Sequence, residues 1–166
     1  QEFMTSVTRS YLCYPKNITE VMFNLLDSHD TARILSVCLN DKRKVKLAYL
    51  FMLTQAGSPC IYYGSEIGID GFKSMTLENN RKCMIWDENK QDLELRQFIR
   101  WLIRLRKKHP QWCEASIQWK DVEHPTVIAY QRDNITFFLN NSEDTANFIY
   151  DGRSMEISAF SYEIEG

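Results

Sequence analysis

Two carboxylates and an imidazole follow directly on a short apolar run in the first part of the chain. In the stretch FNLLDSHDTARIL, which begins at Phe23, these groups belong to Asp27, His29 and Asp30. Buried carboxylates and imidazoles are costly unless they are paired or used. The segment is therefore interpreted as a helix start, as a ligand site, or as both.

The residues alone favour a helix cap. A run of the type Asp-Ser-His-Asp-Thr after a strand is most often an N-cap, so Asp30 or Thr31 is predicted to begin a short helix that continues to Cys38. Asp30 can cap this helix and serve a site at once. The other two histidines, His109 at a helix end and His124 before a proline, are not candidate ligands.

The polar segment from Asp27 to Asp30 must be positioned by the strands and helices around it, which short apolar runs and longer amphipathic stretches predict. Residues 7–14 are predicted as a helix that ends at the following proline. Residues 21–26 and 59–63 are predicted as strands buried on both faces, because each is a short apolar run between polar residues or glycines. A longer helix between them starts at Asp41 and ends before Gly57. The set predicts a right-handed parallel strand–helix–strand unit.

A long polar stretch and a strong helix come next. Residues 64–90 are predicted as a loop that carries Arg81 and Trp86, and a loop of this length is often functional. Residues 92–108 are predicted as a helix with apolar side chains on one face. Basic residues suit its C-terminal end, and Pro110 stops it.

After residue 111 the apolar pattern changes from the period of a helix to that of short strands. Residues 126–132 and 135–141 flank Asp133-Asn134 and predict a hairpin. Three further short strands follow, with an Asp-Gly turn between the first two; they cover residues 146–150, 154–158 and 161–165. These strands predict a small antiparallel β domain over residues 112–166.

The first part of the chain does not complete a fold of its own. Two parallel strands cannot bury both faces or close their edges, and a complete (β/α)₈ barrel needs roughly 250 residues. Residues 1–111 are therefore predicted to be the C-terminal portion of such a barrel, with its last two strand–helix units. With the β domain, the predicted class is α/β plus all-β.

Composition and charge exclude several function classes. The chain has 166 residues, of which 20 are basic and 22 acidic, so it predicts neither a nucleic-acid partner nor a polybasic membrane patch. No window approaches the roughly 20 apolar residues of a membrane span, and the first residues lack the features of a signal peptide. The odd number of cysteines, without a Cys-x-x-Cys pair, favours reduced thiols and a cytoplasmic location.

Three ordered motifs resemble the α-amylase family of glycoside hydrolases. They are FNLLDSHDTARIL, AGSPCIYYGSEIG and NRKCMIWDE, and they are most similar to the neopullulanase, cyclomaltodextrinase and maltogenic amylase branch. The resemblance runs from Tyr14 to Pro110 and more loosely through the β domain. It implies a (β/α)₈ TIM barrel, a C-terminal β-sandwich, and cleavage of α-glucosidic bonds with retention of configuration.

The resemblance also assigns roles to individual residues. Residues 21–26 and 59–63 match the seventh and eighth barrel strands, so the polar segment stands at a strand end, where barrel active sites lie. Asp30 matches the family's third acidic residue, which stabilises the transition state. His29 matches the histidine that hydrogen-bonds the sugar. These roles suit retaining hydrolysis, because its transition state resembles an oxocarbenium ion and a carboxylate favours the developing positive charge.

Two further residues are predicted to bind substrate. Tyr63 lies at the end of the second strand and Arg81 in the Arg…Met-x-Trp stretch, although packing explains both positions as well. The chain also departs from the family pattern. It has Ser65 where the family often has aspartate, and Glu78-Asn79 near the place of a usual Asp-Pro, so the shape of the loop there is open.

The family's nucleophile motif, Gly-x-Arg-x-Asp, and its acid-bearing strand are not found in this sequence. The chain is therefore predicted to be a C-terminal fragment of an α-glucan hydrolase that is inactive alone. Its predicted partner is an α-glucan or maltooligosaccharide, with no metal and no cofactor. Exposed edges of a truncated barrel predict self-association or swapping.

A carbohydrate-binding or assembly module without catalysis is the competing hypothesis. It depends on Trp112, Trp119 and Tyr130 in the β domain, which packing of a sheet core explains more simply. A coplanar pair of these rings facing solvent would favour binding. A proteolytic remnant without a function of its own is the third possibility.

Overall fold

The computed structural model describes residues 1–74, 76, 78–114 and 117–166. They form two compact units. We name the first, residues 23–53 and 59–109, the helical unit. The second, which contains residues 1–22, 54–58 and 110–166, is the sheet unit.

The helices are α1 (Glu2–Leu12), α2 (Lys16–Thr19), α3 (Ile34–Val37), α4 (Lys42–Thr54) and α5 (Leu93–Lys108). The strands are β1 (Phe23–Leu25), β2 (Ser58–Cys60), β3 (Gln118–Lys120), β4 (Val127–Arg132), β5 (Ile135–Asn140), β6 (Ala146–Tyr150), β7 (Arg153–Ile157) and β8 (Tyr162–Glu165). Short 3₁₀ turns occur at Ser65–Ile67, Asn79–Arg81, Glu88–Lys90 and Pro110–Cys113. Within these residues, no helix is long and apolar enough to span a bilayer.

The two strands predicted in the first part of the chain exist and are neighbours in a two-stranded sheet. The prediction that both strands are buried on both faces is wrong, since none of residues 21–26 and 59–63 is buried. Phe23 is 65% exposed and Leu25 44% exposed. The reason is that a two-stranded sheet offers side chains little to pack against. The parallel direction of the pair remains a prediction.

Helix α1 begins earlier than the sequence predicted, at Glu2 instead of residue 7. An acidic residue in the first turn suits the positive end of the helix dipole. Pro15 does not itself terminate α1, which ends at Leu12, but stands at the N-cap of α2. Because no residue of α1 is buried, the sequence has no marked apolar pattern that would show where this helix begins.

The predictions for α4 and α5 are confirmed. α4 starts directly after Asp41, and Gly57 beyond its end has a left-handed φ of 86°. α5 starts after Asp92, whose side chain accepts a hydrogen bond from the Leu95 N–H at 3.0 Å. Its buried face consists of Leu95, Ile99 and Leu102.

The sheet unit contains the predicted antiparallel strands. β4 and β5 pair in register, with Arg132 opposite Ile135 next to the turn, and Asp133 in that turn has a φ of 56°. The sheet order is β3-β4-β5-β8, while β6 and β7 form a separate hairpin. β3 was not predicted, because its three residues, Gln-Trp-Lys, are too few to show the alternation of apolar and polar side chains that is typical of a strand. One buried hydrophobic cluster of this unit consists of Val127, Ala129, Phe138, Ala146, Phe148 and Ile157.

The three aromatic residues of the competing binding hypothesis do not form a platform. Trp112 and Tyr130 are buried, at 1% and 0% exposure. The indole N–H of Trp119, which is half-buried, donates to Thr8 Oγ1 at 2.9 Å. The rings of Trp119 and Tyr130 meet edge to face, at 73°. Their arrangement is that of packed sheet aromatics.

Replacing Asp92 by alanine is expected to lower the free energy of unfolding by about 1 kcal/mol at neutral pH. The side chain caps α5 and forms an ion pair with Lys42. Burial alone would raise the pKa of Asp92, but the Leu95 N–H and the Lys42 ammonium lower it overall. Because the folded pKa lies below the unfolded one, the contribution is present above about pH 4 and is lost as the pH falls through the folded pKa.

Thermal unfolding of the wild type and the alanine variant near pH 7 and near pH 2.5 measures this effect. The difference between the two proteins should shrink at the lower pH. Asp92→Asn is the matched control, since it keeps the capping oxygen without the charge and should lose less stability. An alanine variant with an unchanged melting temperature at neutral pH would contradict the prediction.

Candidate active site

The polar segment after β1 is built around a buried carboxylate, Asp27, which is 2% exposed. Its Oδ2 accepts hydrogen bonds from the Ile34 N–H at 2.9 Å and from the Ser65 hydroxyl at 2.6 Å. The first of these satisfies an N–H at the start of α3. Asp27 therefore holds the end of β1 and the beginning of α3 together, so that the loop between them has fixed ends.

The predicted capping role of Asp30 or Thr31 is wrong. α3 begins at Ile34 with Arg33 in the N-cap position, and the helix N-terminus is served from outside by Asp27. The Asp30 side chain is 64% exposed. The physical reason is that residues 28–31 form a turn of their own. In this turn the Ser28 N–H donates to Thr31 Oγ1 at 2.9 Å.

Arg33 is the central cation of the helical unit and is fully buried. Its Nε donates to the Asn80 carbonyl at 2.8 Å, and one Nη donates to the Tyr63 carbonyl and to Ser65 Oγ. Since the same Ser65 hydroxyl donates to Asp27, a continuous network joins a buried cation to a buried anion.

Two aromatic rings enclose the Arg33 guanidinium. Its central carbon lies 4.1 Å from the ring centroid of Tyr62 and 4.7 Å from that of Tyr63. A cation over an aromatic face is attracted by the ring quadrupole, and the attraction grows when water is excluded. The segment that follows β2 is thereby fixed to the start of α3.

Asn80 connects the long loop to the His29–Asp30 segment. Its side chain is fully buried, and its Nδ2 donates to the His29 carbonyl at 2.8 Å and to the Thr31 carbonyl at 3.0 Å. Gly71 supports the same arrangement: its N–H donates to Ser36 Oγ at 2.7 Å, and a Cβ built on it would lie 2.1 Å from the Asn79 carbonyl.

Asp30 is surrounded by basic groups. The Lys73 ammonium donates to Oδ1 at 3.3 Å, and an Arg81 guanidinium nitrogen lies 3.8 Å from the same oxygen. His29 Nε2 lies 3.1 Å from Oδ2. The hydrogen bond from Lys73, followed by the charge of His29, lowers the pKa of Asp30. The carboxyl group is thus held in its charged form at neutral pH.

The structure brings three of the four predicted site residues together. His29, Asp30 and Arg81 are in mutual contact, because Arg81 Nε also donates to the His29 carbonyl at 3.2 Å. Tyr63 lies on the Arg33 side of the loop, where its hydroxyl donates to the Lys82 carbonyl at 2.9 Å. It is 41% exposed.

An exposed carboxylate can accept hydrogen bonds from the hydroxyl groups of a sugar. An imidazole beside it can donate a hydrogen bond to a neighbouring hydroxyl of the same sugar. The Asp30 charge can also stabilise a cationic transition state. Across residues 1–74, 76, 78–114 and 117–166, no group of three or more His, Cys, Asp or Glu side chains is placed to hold a metal ion. The five cysteines are free thiols.

Comparison with known proteins shows the family to which this chain belongs. The family model described as "Alpha amylase, catalytic domain" matches residues 3–143. The chain belongs to the alpha-amylase family. The resemblance read from its three motifs is therefore confirmed.

Individual members of the alpha-amylase family are similar over most of this chain. A cyclomaltodextrinase from Bacillus sp. is 43% identical over 148 residues, which are 86% of this chain and 26% of the relative. Neopullulanase 2 from Thermoactinomyces vulgaris is 36% identical over 146 residues, or 85% of this chain and 24% of the relative. The crystal structure of a maltogenic amylase from S. marinus superposes with a TM-score of 0.82 at 29% identity. That superposition covers 98% of this chain and 25% of that one. The chain thus spans about a quarter of the length of these relatives.

Sequence reasoning missed the supporting residues of the site. Arg33 and Asp27 are adjacent to the predicted site but have no role assigned from the sequence, and neither Asn80 nor Lys73 is predicted from it. A signal existed for Arg33, because an arginine inside an apolar helix start must find partners if it is buried. No local signal marks Asn80, whose bonds reach back 49 and 51 residues.

Proposed function

We propose that this chain is the C-terminal part of a retaining α-glucan hydrolase of the neopullulanase and cyclomaltodextrinase type. It acts on α-glucosidic bonds of starch-derived oligosaccharides. Asp30 stabilises the oxocarbenium-like transition state, and His29 hydrogen-bonds the sugar at the point of cleavage. Tyr63 and Arg81 contribute to substrate binding.

One observation carries the proposal: His29 and Asp30 stand together and exposed on a loop that buried groups hold. Among the described residues, Asp27 caps α3 and Arg33 binds the carbonyls of Tyr63 and Asn80, so the support of the loop does not come from the His29 and Asp30 side chains. Charged side chains displayed by a rigid support are typical of a ligand site. The names of the relatives, cyclomaltodextrinase and neopullulanase, support an α-glucan as the ligand.

Chemistry requires two further carboxyl groups. Retaining hydrolysis uses an acid and a nucleophile about 5–5.5 Å apart, and Asp30 with His29 supplies neither. We propose that both come from residues outside this chain, so that the chain alone is inactive. Residues 1–111 would then be the C-terminal portion of a (β/α)₈ barrel and residues 112–166 its C-terminal β domain.

The exposed faces of β1 support a further part of the proposal. Phe23 and Leu25 are apolar and exposed, and such faces associate when nothing covers them. When produced alone, the chain should therefore self-associate or swap segments. Its free thiols support a reducing, cytoplasmic location.

The test is to compare two proteins, the product of the complete open reading frame and the isolated 166-residue chain. With a linear maltooligosaccharide as substrate, the complete protein should release products of retained anomeric configuration, read by proton NMR at early times. The isolated chain should release none above the buffer rate. A complete protein that leaves α-glucosidic bonds intact would refute the proposed activity. Hydrolysis by the isolated chain would refute its inactivity.

A further inference from the structure

We infer that Asn80 is a positioning residue for this reaction: its buried side-chain amide fixes the main chain on both sides of Asp30 and so determines where the carboxylate meets the sugar. The inference rests on the proposed function. Asn80 touches neither the substrate nor the reacting atoms, and it acts through the segment that it holds.

The side-chain amide of Asn80 binds the main chain on both sides of Asp30. Nδ2 donates to the carbonyls of His29 and Thr31, the residues immediately before and after Asp30. A side-chain amide has two N–H hydrogens, and both are used here. One planar group therefore fixes two main-chain positions at once, which leaves little freedom to the residue between them.

Asn80 itself is anchored in the interior. Its main-chain carbonyl accepts the Arg33 Nε hydrogen bond at 2.8 Å, and both side chains are fully buried. Its neighbour Asn79 lies against Gly71, where no side chain would fit. The position of Asp30 is thus linked to the start of α3 through Asn80 and Arg33.

The other contacts of the segment are weaker supports. Ser28 and Thr31 hydrogen-bond at the surface, and Lys73 and Arg81 reach Asp30 through solvent-exposed ion pairs. Exposed pairs contribute little, since water competes for both partners. The two bonds from Asn80 are part-buried, and their donor, the side-chain amide, is fully buried, so losing them would leave a buried donor without a partner. The amide of Asn80 therefore dominates the placement.

Replacing Asn80 by aspartate changes the chemistry of this contact at nearly constant volume. A carboxylate has no hydrogen to donate, and its negative charge would repel the two carbonyl oxygens. The 29–31 segment should then move away from its place. A displacement of about 1 Å at a catalytic group can cost on the order of 10²-fold in rate.

A double-mutant cycle in the complete enzyme tests the inference. The variants are Asn80→Asp and Asp30→Asn, singly and together, with kcat and KM measured on a linear maltooligosaccharide and thermal unfolding as a check. Asn79→Ala on the same 3₁₀ turn is the matched control, because that side chain is exposed. Asn80→Ser, which keeps one donor, covers the case that the aspartate variant does not fold.

In the wild-type background, Asn80→Asp should lower kcat on the order of 10²-fold and change KM much less. In the Asp30→Asn background it should have less than about a threefold effect, since the group it positions is gone. An equal factor in both backgrounds, or a loss of stability with kcat unchanged, would overturn the inference alone. A wild-type enzyme without glucan hydrolysis would remove the proposed function and the inference with it.

Discussion

Replacing Asp30 by asparagine in the complete enzyme is expected to lower kcat by about 10²- to 10³-fold, with the fold intact. Asparagine keeps the size and shape of the side chain but removes its negative charge. The charge matters most in the transition state, where positive charge develops on the sugar. KM should therefore change much less than kcat.

The fold should tolerate this change because the Asp30 side chain lies in water. Its partners, Lys73 and Arg81, are themselves partly exposed, so breaking those ion pairs should leave the melting temperature nearly unchanged.

Asp70→Asn is the matched control for this prediction. Asp70 is also an exposed carboxylate of the helical unit paired with a lysine, here Lys82 at 2.6 Å. The control should leave kcat unchanged. If Asp30→Asn kept a kcat within about threefold of the wild type, Asp30 could not be the residue that stabilises the transition state.

The second large effect is expected from Arg33→Met, which should destabilise the protein by about 3–5 kcal/mol. The substitution removes donors from two main-chain carbonyls and from Ser65. It also leaves the Asp27 carboxylate buried with no cation in the network. For a chain of this size the melting temperature should fall by roughly 10 °C.

Two further variants separate the causes of this loss. Arg43→Met removes an arginine that is mostly exposed and paired with Asp41, and it should change stability by less than about 0.5 kcal/mol. The double variant Arg33→Met/Asp27→Asn should recover part of the loss, because no lone buried charge remains. Thermal unfolding that places Arg33→Met within about 2 °C of the wild type would contradict a central role for this cation.

Sequence patterns predicted those elements whose causes are local. α5 carries its own cap at Asp92 and its own apolar face, and the β4–β5 hairpin is set by two residues, Asp133 and Asn134. Neither needs a distant partner to be recognised. The family motif likewise pointed to His29 and Asp30, because the motif is contiguous.

The features that the sequence did not predict depend on distant contacts. Asp27, and not Asp30, accepts the hydrogen bond from the start of α3. Asp27 is held there by Ser65, which lies 38 residues away and donates to it. The exposure of Phe23 depends on what its sheet contains, and an apolar run does not carry that information. Asn80, in a polar loop, resembles many surface asparagines until its partners are known.

The hydrogen bonds from Asn80 go to main-chain oxygens and not to side chains. Because the amide binds main-chain carbonyls, replacing the side chains at positions 29 and 30 should change the shape of the loop little. If the proposed function holds, a variant that lacks the Asp30 charge would keep this shape, and it could serve as a substrate trap or as a starting point for an engineered glucan-binding reagent.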